Sequence, residues 1–136
     1  FMLAGVQLEK GSVATEFDAR TFQEELALCQ RYYEKSYQLA DAPATATTTG
    51  RQTAIVCVTA SAPHAHISYK TRKRVAPTVT VYSYSTGASS NVRNDTAVAD
   101  VAVSSIDNSG EAGCGVIWSG TDQNQYGFHY VSTARF

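Results

Sequence analysis

Between residues 21 and 31 the apolar positions follow a helical period, with Phe22, Leu26 and Cys29 on one face beside Gln30. Thr21 stands three residues before Glu24, the spacing of a capping box. Glu24 and Glu25 fall in the first turn, where the helix dipole favours acids, and Arg31 lies near the far end. The pattern predicts a helix of about three turns that buries Phe22, Leu26 and Cys29. At Tyr32 the period becomes two. Tyr33, Lys35 and Tyr37 alternate with Tyr32, Glu34 and Ser36, predicting an aromatic strand directly after the helix. Residues 40–50 are rich in Ala and Thr, contain Pro43 and show no periodic apolar face, which predicts a surface loop.

Beyond Arg51 the chain reads as successive strands. Residues 53–60 form a near-continuous β run through Ala54, Ile55, Val56, Cys57 and Val58, and residues 66–75 are extended and polar. Residues 78–85 put Val79, Val81 and Ser83 on one face and Thr80, Tyr82 and Tyr84 on the other. Residues 87–91 read as a turn, residues 97–106 as a strand with Val101 and Val103 inward, and Asn108-Ser109-Gly110 as a hairpin turn. Residues 115–119 and 127–134 complete the set, and residues 3–9 form a short strand before a loop-like stretch to Arg20. No internal repeat is visible. Short strands with frequent turns and a single helix predict a mainly β fold, an antiparallel β-sandwich of jelly-roll type with one short N-terminal helix.

Composition narrows the choice. The 136 residues are 43% apolar, enough for one domain with a core. Charged residues make up 17%, against roughly 25% in ordinary soluble domains. The formal charge is −1 and the sequence pI is near 6.3, which excludes a globally basic nucleic-acid binder and an acidic solvating tail. No apolar run reaches the ~18 residues that would suggest a membrane helix. The chain opens on Phe1-Met2-Leu3 without the arrangement of a signal peptide, and it reads as a piece of a longer protein. Cys29, Cys57 and Cys114 are scattered and odd in number, with no zinc-ligand spacing. They are expected to be buried small hydrophobes in a reducing compartment, with no metal and no cofactor. Asn94-Asp95-Thr96 is a formal glycosylation acceptor, relevant only in a secreted eukaryotic protein.

Few groupings carry chemistry. Glu24 and Glu25 are adjacent on a helix and so face apart, which makes them poor as an acid/base pair. Cys114 lies in a glycine-rich stretch, 110–115, read as a turn; a Cys/His hydrolase there would need His129 or another His within reach. His64 and His66 would share one strand face, and three copies at a threefold axis would offer six nitrogens. The simpler reading is two surface histidines. Lys70, Arg72 and Arg74 would share a strand face, expected to be solvated or paired with acids at a subunit contact. Tyr82, Tyr84, Trp118, Tyr126 and Tyr130 are the aromatic candidates for stacking on sugar rings, and all five residue positions equally suit a core.

The segment Val6-Gln7-Leu8-Glu9-Lys10-Gly11-Ser12-Val13-Ala14-Thr15-Glu16-Phe17, followed by Arg20 and by Glu24-Glu25-Leu26-Ala27-Leu28-Cys29-Gln30-Arg31-Tyr32-Tyr33, resembles one found in tailed-bacteriophage tail-fibre and related virion proteins. The strand Arg74-Val75-Ala76-Pro77-Thr78 and the ending from Phe128-His129-Tyr130 to Ala134-Arg135-Phe136 are similar to the C-terminal domains of that family. Glu16 stands where the family often has Pro, and Lys73 where an apolar residue is expected. The Ala/Thr stretch after Ala40 has no counterpart in the family pattern.

The resemblance implies residues 1–20 as a connector from an upstream fibre module and residues 21–136 as a C-terminal tip domain, assembled as a homotrimer. It implies a receptor-binding module at the distal end of the fibre in the virion, attached to a bacterial surface polysaccharide, with no enzymatic activity, nucleic acid or membrane insertion. The family supplies no catalytic motif and no shared sugar-binding set. Tyr82, Tyr84, Trp118 and Tyr126 are the residues expected to bind receptor. Two other functions fit the same chain: a capsule depolymerase or esterase, for which Asp95, Asp100, Asp107 and Asp122 supply acids, and a purely structural trimerisation tip.

Overall fold

The computed structural model describes residues 6–13, 15–17, 19–55, 64–120 and 123–135. One helix, α1 (Phe22–Gln30), precedes eight strands: β1 (Tyr33–Lys35), β2 (Gln52–Ile55), β3 (His64–Ser68), β4 (Thr78–Ser83), β5 (Asn91–Asn94), β6 (Ala99–Asp107), β7 (Gly113–Trp118) and β8 (Gln125–Thr133). All pairings are antiparallel and join the strands into one curled sheet. The fold is therefore mainly β with one short helix, as the alternation predicts.

Strand β8 organises the sheet. Thr133 pairs with both Tyr33 of β1 and Thr78 of β4, so these strands lie on opposite edges of β8. Phe128 pairs with both Gln52 of β2 and Ser83 of β4, which places β2 on the β1 edge. Gly127 pairs with Thr53 of β2 and Arg93 of β5, so β5 continues the β4 edge. A strand covered on both edges and both faces can be apolar or satisfied throughout, and residues 126–132 are all buried. Strand β6 pairs with β5 through residues 99–102 and with β7 through residues 103–107. The register slips by one residue between Val103 and Ser105, where the partner changes. A bulge of this kind adds twist, which curls the sheet back on itself.

The concave face holds the core: Ile67, Val81, Val92, Cys114, Val116, Trp118, Tyr126, Phe128 and Tyr130. Val81 and Ser83 are buried on one face of β4, as period two requires, and Val101 and Val103 of β6 pack against the core. Each large side chain buried here contributes about 2 kcal/mol relative to exposure.

The helix starts as expected and packs otherwise. Thr21 Oγ1 accepts from the Glu24 amide, and the Glu24 carboxylate accepts from the Thr21 amide at 2.8 Å. Yet α1 buries none of its residues: Phe22 is 70% exposed and Cys29 is exposed, while only Leu26 and Gln30 are partly covered. The expectation that Phe22, Leu26 and Cys29 enter the core of this chain is thus corrected. Of the three cysteines Cys114 alone is buried among the described residues, and Cys57 lies outside them.

Several boundaries differ. Residues 6–9 form no strand, and residues 3–5 lie outside the described residues. The aromatic strand is limited to Tyr33–Lys35. The run predicted over 53–60 begins at Gln52 and is described only to Ile55. Strand β5 was not predicted, because Asn91-Val92-Arg93-Asn94 offers a single apolar residue. The polar strand predicted over 66–75 is instead β3, which stops at Ser68 before the basic run.

That stop brings an ion pair into the interior. The chain bends after Ser68, so the basic run has no common strand face. Lys73, buried to 2% exposure, meets Glu34 of β1 at 2.6 Å. Glu34 also accepts from the Tyr130 hydroxyl (2.8 Å) and the Lys70 amide (3.1 Å). The Lys73 ammonium donates in addition to the Gln30 carbonyl (2.5 Å) and lies 4.9 Å from the centre of the Tyr69 ring. Every polar atom of the pair is used, the condition under which buried charges are tolerated. Replacing Lys73 by Met is expected to cost about 3–5 kcal/mol, because a buried carboxylate is left alone; urea denaturation measures this, and a loss below about 1 kcal/mol, the level of a surface pair, would show that the pair is not structural.

Candidate functional site

The four aromatic candidates fall in two places. Trp118 and Tyr126 are each 1% exposed and pack on one another with ring centres 5.4 Å apart. The Tyr126 hydroxyl accepts from the Asn94 side-chain amide at 3.1 Å. Both rings belong to the core and present no face to a ligand in this chain. Asn94 is itself buried and bonded, so it offers no accessible glycosylation acceptor.

Tyr82 and Tyr84 lie on the opposite, convex face and are half-buried. Tyr84 donates to the Asp95 carboxylate, carries the Arg51 guanidinium 4.4 Å above its ring and rests against Gly127, where a Cβ would come within 2.8 Å. Arg51 also pairs with Asp95 at 3.3 Å. Tyr82 meets Tyr37 edge-on at 6.4 Å.

The convex face is covered by the Ala/Thr stretch, a surface loop as predicted, which is tied down on the sheet. The Thr47 amide bonds the Tyr84 carbonyl, and the Ala44 amide bonds the Tyr37 hydroxyl. Gly50, at φ +80°, passes so close to Ser36 that a Cβ would meet its carbonyl at 2.3 Å. Only glycine combines that backbone angle with that approach. Beneath the stretch His129 is buried and stacked on Tyr37 at 4.0 Å. Its Nε2 faces the Thr47 carbonyl at 2.9 Å, so Nε2 carries the proton. Its Nδ1 accepts from the Ser36 hydroxyl at 2.8 Å, and that hydroxyl accepts from the Tyr130 amide at 3.0 Å.

This geometry separates the groups that nucleophilic catalysis would need. Both nitrogens of His129 are engaged away from Cys114. Cys114 lies in β7 rather than in a turn, and burial pushes its thiol up, away from the reactive thiolate. Burial also holds His129 below its ordinary value, which opposes the imidazolium a general base must become. Among the acids, Asp95 is held by Arg51 and Tyr84, and Asp100 by Arg93, Ser83 and Thr86. Asp122 lies outside the described residues. His64 and His66 share the exposed side of β3, as two-residue spacing demands. Among the described residues no three His, Cys, Asp or Glu side chains cluster as a metal site.

A groove of about 630 Å³ lies where α1, β1 and the start of the Ala/Thr stretch meet. That volume suits a small ligand or a short segment of a polymer. Its helix side is Leu26, Cys29 and Gln30; its strand side is Tyr33, Glu34, Lys35 and Tyr130. Gln38, Leu39, Gln52 and Lys70 close it. Tyr33 is 42% exposed and offers ring surface there. Lys35 donates to the main-chain carbonyls of Leu39 (3.0 Å) and Asp41, which fixes the turn forming one wall. Of these residues only Tyr130 stands among the aromatic candidates read from the sequence, and it is buried in the core; for the others the alternation placing Tyr33 and Lys35 on one face was the available signal. Comparison with protein-family models, curated proteins and solved structures finds no match to this chain. Among the described residues no helix is long and apolar enough to cross a membrane.

His129 gives a pH signature. Its folded value lies below the ordinary 6.5, so on acidification the unfolded chain takes up the proton first. Its contribution to stability is complete above pH 6.5 and is lost as pH falls below that value towards the lower folded one. The expected result is a decline of denaturation free energy below pH 6.5 that is shallower in His129→Gln, with NMR titration of the imidazole reporting the same depressed value.

Proposed function

We propose that this chain is the receptor-binding tip domain of a tailed-phage tail fibre, which assembles as a homotrimer and attaches the virion to a bacterial surface polysaccharide. The observation that carries the reading is the uncovered apolar surface at the N-terminal end. Leu8 is 99% exposed and Phe22 70%, and Val6, Val13, Phe17 and Leu28 are exposed with them. Single exposed apolar residues are ordinary, but a run of them along one connector and a helix with no buried residue favours coverage by further protein. The same residues carry the resemblance to fibre proteins. In this reading residues 1–20 are the connector, and α1 with β1 caps the base of the trimer.

The curled sheet is read as a two-layer sandwich of jelly-roll type, with β1, β2, β4, β5 and β8 in one layer, β3 and β7 in the other, and β6 passing between them. A stiff β scaffold with loops at its edge suits adhesion, and three weak sites on one particle bind a repetitive surface strongly through effective concentration. Tyr82 is the member of the sequence-derived set whose ring remains best placed to take part. The depolymerase reading draws no support from carboxylates committed to arginine and hydroxyl partners.

Light scattering of the chain at micromolar concentration is expected to give the mass of three subunits, and Phe22→Ser with Leu28→Ser is expected to shift it towards one. A monomer in the unsubstituted chain overturns the trimer. Fluorescently labelled chain is expected to stain a subset of a bacterial strain panel saturably, and absence of staining across the panel overturns attachment.

A further inference from the structure

We propose that the groove between α1 and β1 binds an acidic sugar segment and that Lys35 and Lys70 select its charge. This inference rests on the attachment reading and names the ligand chemistry at one site. Charge accounting within the groove carries it. Glu34 is the acid in the lining, and Lys73 beneath it neutralises it at 2.6 Å. A ligand therefore meets Lys35 and Lys70 without a counter-charge. Among the described residues neither forms an ion pair; the exposed and half-buried pairs, Arg20–Glu25, Arg51–Asp95, Arg72–Glu111 and Arg93–Asp100, lie elsewhere. In a chain whose formal charge is −1, that is a local excess of positive charge in the groove.

The two lysines are anchored differently. The Lys35 ammonium is oriented by two carbonyls, of Leu39 and Asp41, which fix its position without neutralising it. One of its three N–H groups stays available for a ligand oxygen. Lys70 is anchored through its main-chain amide, which donates to the Glu34 carboxylate, so its side chain is free to reach into the groove it lines. Beside the charges the groove carries the Gln52 amide, which suits sugar hydroxyls, and the exposed ring of Tyr33, which suits the flat C–H face of a pyranose. Strands β1 and β2 follow one another along the same edge of β8, with Lys35 opposite Val131 and Gln52 opposite Phe128. The shared ligand chemistry is an anionic group on a sugar, either the carboxylate of a uronic acid or a phosphate ester.

Calorimetric titration with tetragalacturonate, with glucose 6-phosphate and with neutral maltotetraose tests this. Expected is saturable binding of at least one acidic probe, tighter than that of maltotetraose and weakened by added salt. Affinity for that probe is expected to fall about fivefold in Lys70→Met, the factor for a partly exposed ion pair. Lys70→Met keeps the main-chain bond to Glu34, so its folding is not at issue; Lys35→Met is the second variant. The tighter acidic probe assigns carboxylate or phosphate. Binding of neither acidic probe, equal affinity for maltotetraose, or unchanged affinity in Lys70→Met overturns the proposal. Bacterial staining that persists undiminished in the double variant overturns the groove as the receptor site while leaving attachment standing.

Discussion

The Glu34–Lys73 ion pair is the constraint on which the arrangement of the N-terminal third depends. Burying two charges costs several kcal/mol for each, and mutual attraction offsets this only when the remaining donors and acceptors are also matched. Here the matching partners come from four parts of the chain: Gln30 at the end of α1, Glu34 in β1, the bend at residues 69–73 and Tyr130 in β8. None of these can shift without exposing an unpaired group. The bend that delivers Lys73 is fixed again by its own amide, which bonds the Glu111 carbonyl at 2.7 Å, and by the Arg74 amide on the Arg31 carbonyl at 3.0 Å. A helix that buries none of its own residues is thereby attached to the sheet at its C-terminal end. The groove at that junction owes its walls and its uncompensated positive charge to the same pair.

Strand β8 transmits this local order to the rest of the sheet. Its two edges are shared by four strands, so a displacement at Tyr130 reaches β1, β2, β4 and β5 together. Its two faces do different things. Tyr126, Phe128 and Tyr130 enter the core, while His129 faces the Ala/Thr stretch and secures it through the Thr47 carbonyl. The stretch is polar and small because it must lie flat on a sheet face already filled by Tyr37, Tyr82 and His129.

Much of the fold was legible in the sequence because it rests on local rules. The capping box at Thr21 and Glu24, the change of period at Tyr32, the alternation through β4 and the turn at Asn108 each depend on a few adjacent residues. Other features were not legible. Strand β5 carries one apolar residue, so its place beside β8 comes from pairing rather than pattern. Trp118 and Tyr126 have the composition of a sugar-stacking pair, and only their packing shows them to be core. Lys73 reads as one more charge in a basic run until the bend after Ser68 turns it inward.

Local pattern alone specified an antiparallel, mainly β chain with one capped helix, because hydrogen-bonded periodicity leaves its mark every two or 3.6 residues. Composition specified a lightly charged chain of near-zero net charge. Packing in three dimensions set which aromatics are spent in the core, which carboxylates are already paired, and which lysines remain without a counter-charge. The reason is physical. The buried ion pair depends on residues far apart along the chain, 39 positions between Glu34 and Lys73 and 96 between Glu34 and Tyr130, and no local pattern encodes those distances.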